Sequence, residues 1–411
     1  MAQGADPILL EAQKPLGGLE TVKPVAERLP NEFEPVPIQW RGFEITPLLI
    51  SSQIIDTNIY AASTNEETDT ITSLAPSVFV NKDVGRHEFN ASVGADMKKY
   101  WSNTDEDVFN FNTKFGGTLE ARHDITLPFE LTYNSGHEKR GQNFSANFSK
   151  KPIAFDSFGA AFGITYNPNR LSLSLVGRHG GIEFENGTNR AGQTVVREDG
   201  DRTFNDIEIG ASYDILPNHT PFISFNLGNI KYDRRSFQGG GFNGPKRDSN
   251  NMGVLAGWKL AYKGIIEGTI ALGYGERNYD DNALEDIKTS RVATNINWNV
   301  TKKATLNLGL ERSIKEDNQL LQGLVLTQGR LGLDYEFLHN LFYNAYLNYS
   351  YLDFQAGNRE DDVFSAGTGL RYMISPRFSV SGDYDFISRD SSALGLDYDR
   401  HQFMVRLHTR F

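Results

Sequence analysis

The sequence predicts an all-β fold, a transmembrane antiparallel up-and-down β-barrel of about eighteen strands with both termini on the periplasmic side. Three observations predict it. Two-faced segments with a period of two recur along nearly the whole chain, the connections between them alternate short and long, and the last segment stops on an aromatic residue. From His401 to Phe411 one set reads Phe403, Val405, Leu407, Thr409 and Phe411, and the other reads Gln402, Met404, Arg406, His408 and Arg410. A strand with lipid on one side and a wet lumen on the other needs this alternation.

Composition removes the rival classes. In 411 residues no stretch approaches the roughly 18 consecutive apolar residues of a membrane helix, and the mean hydropathy is -0.45. With 0 cysteines there is neither a disulfide scaffold nor a thiolate metal site. A net charge of -11 gives no electrostatic basis for binding nucleic acid. The start, Met1-Ala2-Gln3, lacks a charged region followed by an apolar one. An envelope protein needs such a leader, so we expect one to have been removed.

The elements follow in order. Residues 1–41 carry Pro7, Pro15, Pro24, Pro30, Pro35 and Pro37 with acids between them, a spacing that forbids a long helix or a central strand. This periplasmic extension is expected to be a disordered lead-in, a plug or a docking arm. A coil of that length spans roughly 35 Å root-mean-square, enough to enter the lumen. Residues 42–411 form the barrel. Its strands are expected at 43–56, 68–83, 86–102, 106–121, 125–139, 154–167, 170–186, 201–215, 219–234, 247–262, 264–279, 285–299, 303–317, 323–337, 341–355, 359–373, 377–390 and 396–411.

Between them, tight turns such as Gly85-Arg86, Pro168-Asn169, Thr301-Lys302 and His339-Asn340 alternate with long loops such as Asn186–Gly200 and Arg235–Arg247. Arg235–Arg247, with Gly239-Gly240-Gly241, is the loop we expect to fold inward. Leu331, Leu333, Tyr335 and Phe337 alternate with Arg330, Gly332, Asp334 and Glu336. A charge on the lipid face costs roughly 2–4 kcal/mol at mid-depth, so the charges belong inside. Two aromatic belts are expected. Tyr166, Tyr213, Trp258, Trp298, Phe337, Tyr372 and Phe411 lie near the turns; Tyr60, Tyr100, Trp101, Tyr274, Tyr279, Tyr351 and Tyr398 lie near the loops.

About eighteen strands enclose an aqueous channel. The candidate lumen residues are Arg330, Asp334, Glu336, Tyr346, Asn348, Arg371, Asp383, Asp385, Arg400, Arg406 and Arg410. They read either as arginine–carboxylate pairs that stiffen the wall or as a selectivity ladder for charged or hydroxylated cargo. Phe342, Asn344, Tyr346, Asn348 and Ser350 line one strand inward; they either fill space beside a loop or point toward carbohydrate, since aromatic faces pack on sugar rings and amides bond hydroxyls. The loops hold acidic runs such as Glu360-Asp361-Asp362, which serve solubility or divalent bridging to lipopolysaccharide phosphates. The eight histidines form no ligand pair, and no nucleophile elbow, H-E-x-x-H or phosphate loop occurs. No enzyme, cofactor or metal site is expected.

The segment Phe43–Tyr60 contains Ile45-Thr46-Pro47 and Asp56-Thr57-Asn58-Ile59-Tyr60. With Ile71–Pro76 and His137-Glu138, it resembles the putative β-barrel porin 2 family over about 42–411. That resemblance implies a large barrel in the outer membrane of a Gram-negative bacterium, associated with exopolysaccharide systems, and no catalytic residues. The expected function is export of an exopolysaccharide, the alternative a passive or weakly selective porin for small hydrophilic solutes. The expected partners are the bilayer and lipopolysaccharide, the barrel-assembly machinery through the strand ending at Phe411, and periplasmic polysaccharide-export proteins.

Overall fold

Eighteen antiparallel strands close on themselves. The computed structural model describes residue 25 and residues 30–141, 149–262, 264–316 and 322–411. The strands are β1 Phe43–Asp56, β2 Asp69–Val84, β3 His87–Tyr100, β4 Val108–Arg122, β5 Ile125–His137, β6 Ala154–Tyr166, β7 Leu171–Phe184, β8 Arg202–Tyr213 and β9 His219–Tyr232. They continue as β10 Ser249–Tyr262, β11 Ile266–Tyr279, β12 Ile287–Thr301, β13 Ala304–Lys315, β14 Leu324–Leu338, β15 Leu341–Phe354, β16 Arg359–Met373, β17 Phe378–Ser391 and β18 Tyr398–Arg410. Each pairs with its sequence neighbours, and β1 pairs with β18 from Leu48↔Arg410 to Asp56↔Gln402, so no long edge stays open.

The exposed face is the apolar one. Leu347 is 50 % exposed while its neighbour Asn348 is 6 % exposed. A water-soluble sandwich would reverse that order, because apolar burial is what drives its folding. Every strand end falls within two residues of its sequence expectation. Strands of 12 to 16 residues exceed the roughly 9–11 needed to cross hydrocarbon, so they project beyond it.

The connections define two ends. Short turns, such as Gly85-Arg86 with Gly85 at φ +64°, sit at one end, which also carries the start of β1 and the finish of β18. Long loops sit at the other. At the turn end a short strand, Ile38–Trp40, folds back on β1 through a tight turn at Arg41 and Gly42, both at positive φ. It pairs Ile38↔Ile45 to Trp40↔Phe43, continuing the line of β18, whose last backbone N–H, on Phe411, donates to Pro47 O at 3.1 Å.

The turn-end belt is outward and exposed at all seven expected positions. Phe337 packs edge-on against Tyr335 and Tyr343 there, with centroids 5.0 and 6.1 Å apart. The loop-end belt needs correction. Trp101 and Tyr274 face outward, but Tyr100, Tyr279 and Tyr398 share the inward register, and Tyr60 packs among loop arginines. Their hydroxyls find partners under the loops: Tyr398 donates to Gly141 O at 3.1 Å, and Tyr279 accepts the Gly323 N–H at 2.9 Å. Of the N-terminal extension, Pro7, Pro15, Pro24 and the rest of residues 1–24 lie outside the described residues, as do Lys263 and the centre of the β13–β14 loop.

Candidate functional site: the lumen and its two mouths

The inner wall is built from small and polar residues. Glycines alternate with long side chains in cross-strand rows. Tyr346 (β15), Gly367 (β16) and Asp385 (β17) share one row, and Asn344, Gly369 and Asp383 share the next. A side chain at Gly367 would collide with the Tyr346 ring and Asp385, so glycine is what lets that ring lie flat on the wall. The Tyr346 hydroxyl donates to Asp385 Oδ1 at 2.8 Å, and the Arg330 guanidinium lies 5.6 Å from the ring centre.

All eleven candidate residues lie on the inward register of β14–β18, and the structure sorts them into groups. Arg330, Asp334, Tyr346 and Asp385 gather at mid-wall, where Asp334 accepts Asn307 Nδ2 at 2.8 Å. Arg371 and Arg406 flank Ser381 in one cross-strand row, and Arg406 bonds Asp383 at 2.5 Å. Arg371 lies 5.5 Å over the Phe342 ring, and Arg410 follows toward the turn end. Glu336 faces Phe342 across the β14–β15 pair. Asn348 is spent within the wall, accepting Gln328 Nε2 at 2.8 Å and donating to Ser350 and Ser365. Arg400 stands apart near the loop end. Its Nε reaches both oxygens of Asp56 at 2.9 Å, its Nη2 bonds the same carboxylate, and Gln402 adds a bond of 2.7 Å. That pair joins the first strand to the last.

Sequence reasoning missed the facing wall. Arg178 bonds Asp206 at 2.7 Å and Glu208 at 2.8 Å across β7 and β8, and Arg291 arches over Gly253 and Gly275 to Asn226 at 2.6 Å. The same period-two reading places the charges of β7, β8 and β12 inside, so the signal was present.

The loop-end mouth is roofed by loops tied together through buried ion pairs. Arg140 bonds Glu106 at 3.0 and 2.6 Å, and Arg197 bonds Glu138 at 2.5 Å. Opposite them Glu316 takes Arg277 and the Tyr232 hydroxyl, at 2.7 Å for the latter, with Arg247 stacked 4.2 Å over the Tyr232 ring. Asp361 binds Arg359 at 2.7 and 2.5 Å. Residues 57–68, 138–141 and 149–153, with Glu316 and Gln322-Gly323, supply the described part of this roof. The Arg235–Arg247 loop does not fold inward as expected: its Gly239-Gly240 tip is an exposed two-residue turn closed by Gln238 and Gly241, and it is near the base that Ser236 and Arg247 are buried. Within the loops, burial pushes the Asp201 carboxyl up to about 6, and Asp233, Glu183 and Glu198 add to the push against the Phe184 N–H at 2.7 Å. Asp281 is held below the usual carboxylate range by the N–H groups of Lys246 and Ala283. Among the described residues no group of three or more metal-ligating side chains gathers.

At the turn end the N-terminal segment reaches the inner wall. Val25 and Phe33 pack against Phe342 and Met373, and the Val25 N–H donates to Thr305 Oγ1 at 3.0 Å. Glu32 lies 3.5 Å from His339, against which Phe33 tilts its ring. These contacts fall on β13, β15 and β16, well around the barrel from β1, where the segment joins.

The chain belongs to the putative β-barrel porin 2 family, whose profile matches residues 30–411. It is an outer-membrane β-barrel of porin-like type. A search of curated proteins gives no match. Among solved structures it is similar to the siderophore receptor PirA of Pseudomonas aeruginosa, at 10% identity over 89% of this chain and 80% of that one with a TM-score of 0.43. It is also similar to OccAB4 of Acinetobacter baumannii, at 12% identity over 91% and 99% with a TM-score of 0.47. OccK2 (OpdF) of P. aeruginosa follows at 9% identity over 90% and 98% with a TM-score of 0.49. At such identities the likeness concerns the barrel alone.

Proposed function

We propose that this protein is a gated diffusion channel for small hydrophilic solutes in the outer membrane of a Gram-negative bacterium, with both termini periplasmic. The observation that carries the reading is an eighteen-strand lumen lined by glycine, serine, asparagine and charges of both signs beneath a roof of interlocked loops. The wall would let a hydrated solute pass without tight binding, since fully hydrated polar groups lose little on exchanging water for wall contacts. The N-terminal segment acts as a constriction at the turn end, seated by Val25 and Phe33. Arg371, Arg406 and Arg410 then bias which ions enter. Export of an exopolysaccharide has less support, because a hydrated chain would have to part the loops that meet over the mouth. Docking of periplasmic export proteins would depend on that reading.

Liposome swelling with uncharged sugars of increasing length tests the choice. Rapid entry of monosaccharides and exclusion of long dextrans is the expected result. Equal entry of both sizes would favour export, and entry of neither would overturn the channel.

A further inference from the structure

We propose that the wall of β12–β15 carries a subsite for a neutral, polyhydroxylated ring, a single sugar unit; this deepens the channel reading and rests on it. A cavity of about 280 Å³ opens there, lined by Asn295, Asn307, Arg330, Asp334, Asn344 and Tyr346. That volume lies just under the roughly 300–1,000 Å³ of ligand pockets, so it takes one ring and not a chain.

Glycine makes the space. A side chain at Gly309 would meet no atom nearer than Arg330 Cβ at 3.8 Å, and one at Gly332 would meet Asn307 at 3.4 Å. Both positions face the lumen, so their missing side chains form the floor of the cavity.

The chemistry selects hydroxyls. Three carboxamides converge, each with donors and an acceptor, which suits a hydroxyl that both gives and takes a hydrogen bond. The amides of Asn295 and Asn344 make no side-chain hydrogen bond to another described residue, and both side chains are exposed to the lumen. Asp334 accepts one bond from Asn307, which leaves it further acceptor capacity. Tyr346 supplies an aromatic wall of fixed orientation, since Gly367 beneath it and Asp385 at its hydroxyl determine where the ring lies. Arg330 and Asp334 cancel in charge, so the site favours a neutral ring over an ion. The arginine cluster of Arg371, Arg406 and Arg410 lies outside this lining.

Saturation-transfer NMR on the full chain in detergent, with glucose as probe and gluconate and glucosamine as charged comparators, tests the proposal. Glucose should receive saturation in the wild type. Gly309→Phe, which fills the cavity, should abolish it, and Asn344→Ala should lower glucose affinity about tenfold, the scale of one or two amide hydrogen bonds. Unchanged glucose signal in Gly309→Phe, or preference for either charged sugar, would overturn the subsite. Absent conductance in the wild type with normal glucose binding would instead overturn the channel reading. Heat-modifiable gel mobility identifies a variant that has not folded, and Asn344→Ala then decides.

Discussion

The buried pair between Asp56 and Arg400 lets the closure of the barrel be measured. Asp56 is 0 % exposed, and its carboxylate takes several hydrogen bonds from Arg400, one from Gln402 and one from the Asn58 N–H at 3.1 Å. Asp56→Ala removes the counter-charge and leaves a buried guanidinium facing Tyr100 and Gln402. Breaking a buried pair from one side costs about 3–5 kcal/mol, most of it the desolvation of the abandoned ion. Removing both partners as Asp56→Ala with Arg400→Met abandons no charge, and replacement of a buried pair by apolar groups is often close to neutral. The double variant should therefore be more stable than Asp56→Ala alone, with a coupling of about 0.5–3 kcal/mol. Urea unfolding in detergent, followed by far-ultraviolet circular dichroism and by heat-modifiable gel mobility, reads both numbers through linear extrapolation. If the double variant loses as much as the two single losses added together, the two residues are independent and the reasoning about the seam is wrong.

Two other outcomes follow from the mouths. Val25→Asp places a charge among Phe33, Phe342 and Met373, where an unpaired ion is strongly disfavoured; single-channel conductance should rise, and a conductance equal to the wild type would remove the constriction. Asp201 titrates near 6 in the folded loop against about 4 when unfolded, so between those values the folded loop binds more protons. The packing of the 185–201 loop should therefore strengthen as pH falls through 6 and weaken as it rises. Amide hydrogen exchange in that loop should slow from pH 7 to pH 5 after correction for intrinsic rates, and Asp201→Asn should abolish the difference; slowing retained in that variant would assign it to another group.

The barrel was legible in the sequence because its information is local. Alternation at Leu331 to Phe337 or Phe403 to Phe411 needs only nearest neighbours and a hydrocarbon solvent, and tight turns such as Gly85-Arg86 announce themselves. The inward facing of the eleven candidate residues was legible for the same reason. What the alternation does not carry is which partner an inward charge meets. Asp56 and Arg400 are separated by 344 positions, yet they adjoin once the first and last strands meet. Tyr398 and Tyr279 looked like belt residues because aromatic type and strand-end position coincide there. Their inward facing follows from strand parity, opposite to that of Tyr274 and Phe403, so the alternation carried it and aromatic type masked it. The inward folding expected of Arg235–Arg247 followed from its length and glycines. The tip instead satisfies its own backbone through Gln238 and Gly241, so it has no need of a partner across the mouth.

The short strand Ile38–Trp40 has a practical consequence for anyone who trims this protein. β18 finishes opposite Pro47, so the first residues of β1 would show bare amides and carbonyls on that flank if the hairpin were cut away. Naked flanks of this kind recruit further chains, edge against edge. Truncation intended to clear the turn-end opening should therefore stop before Ile38. A cut at Phe43 would confuse an unblocked pore with a sticky one.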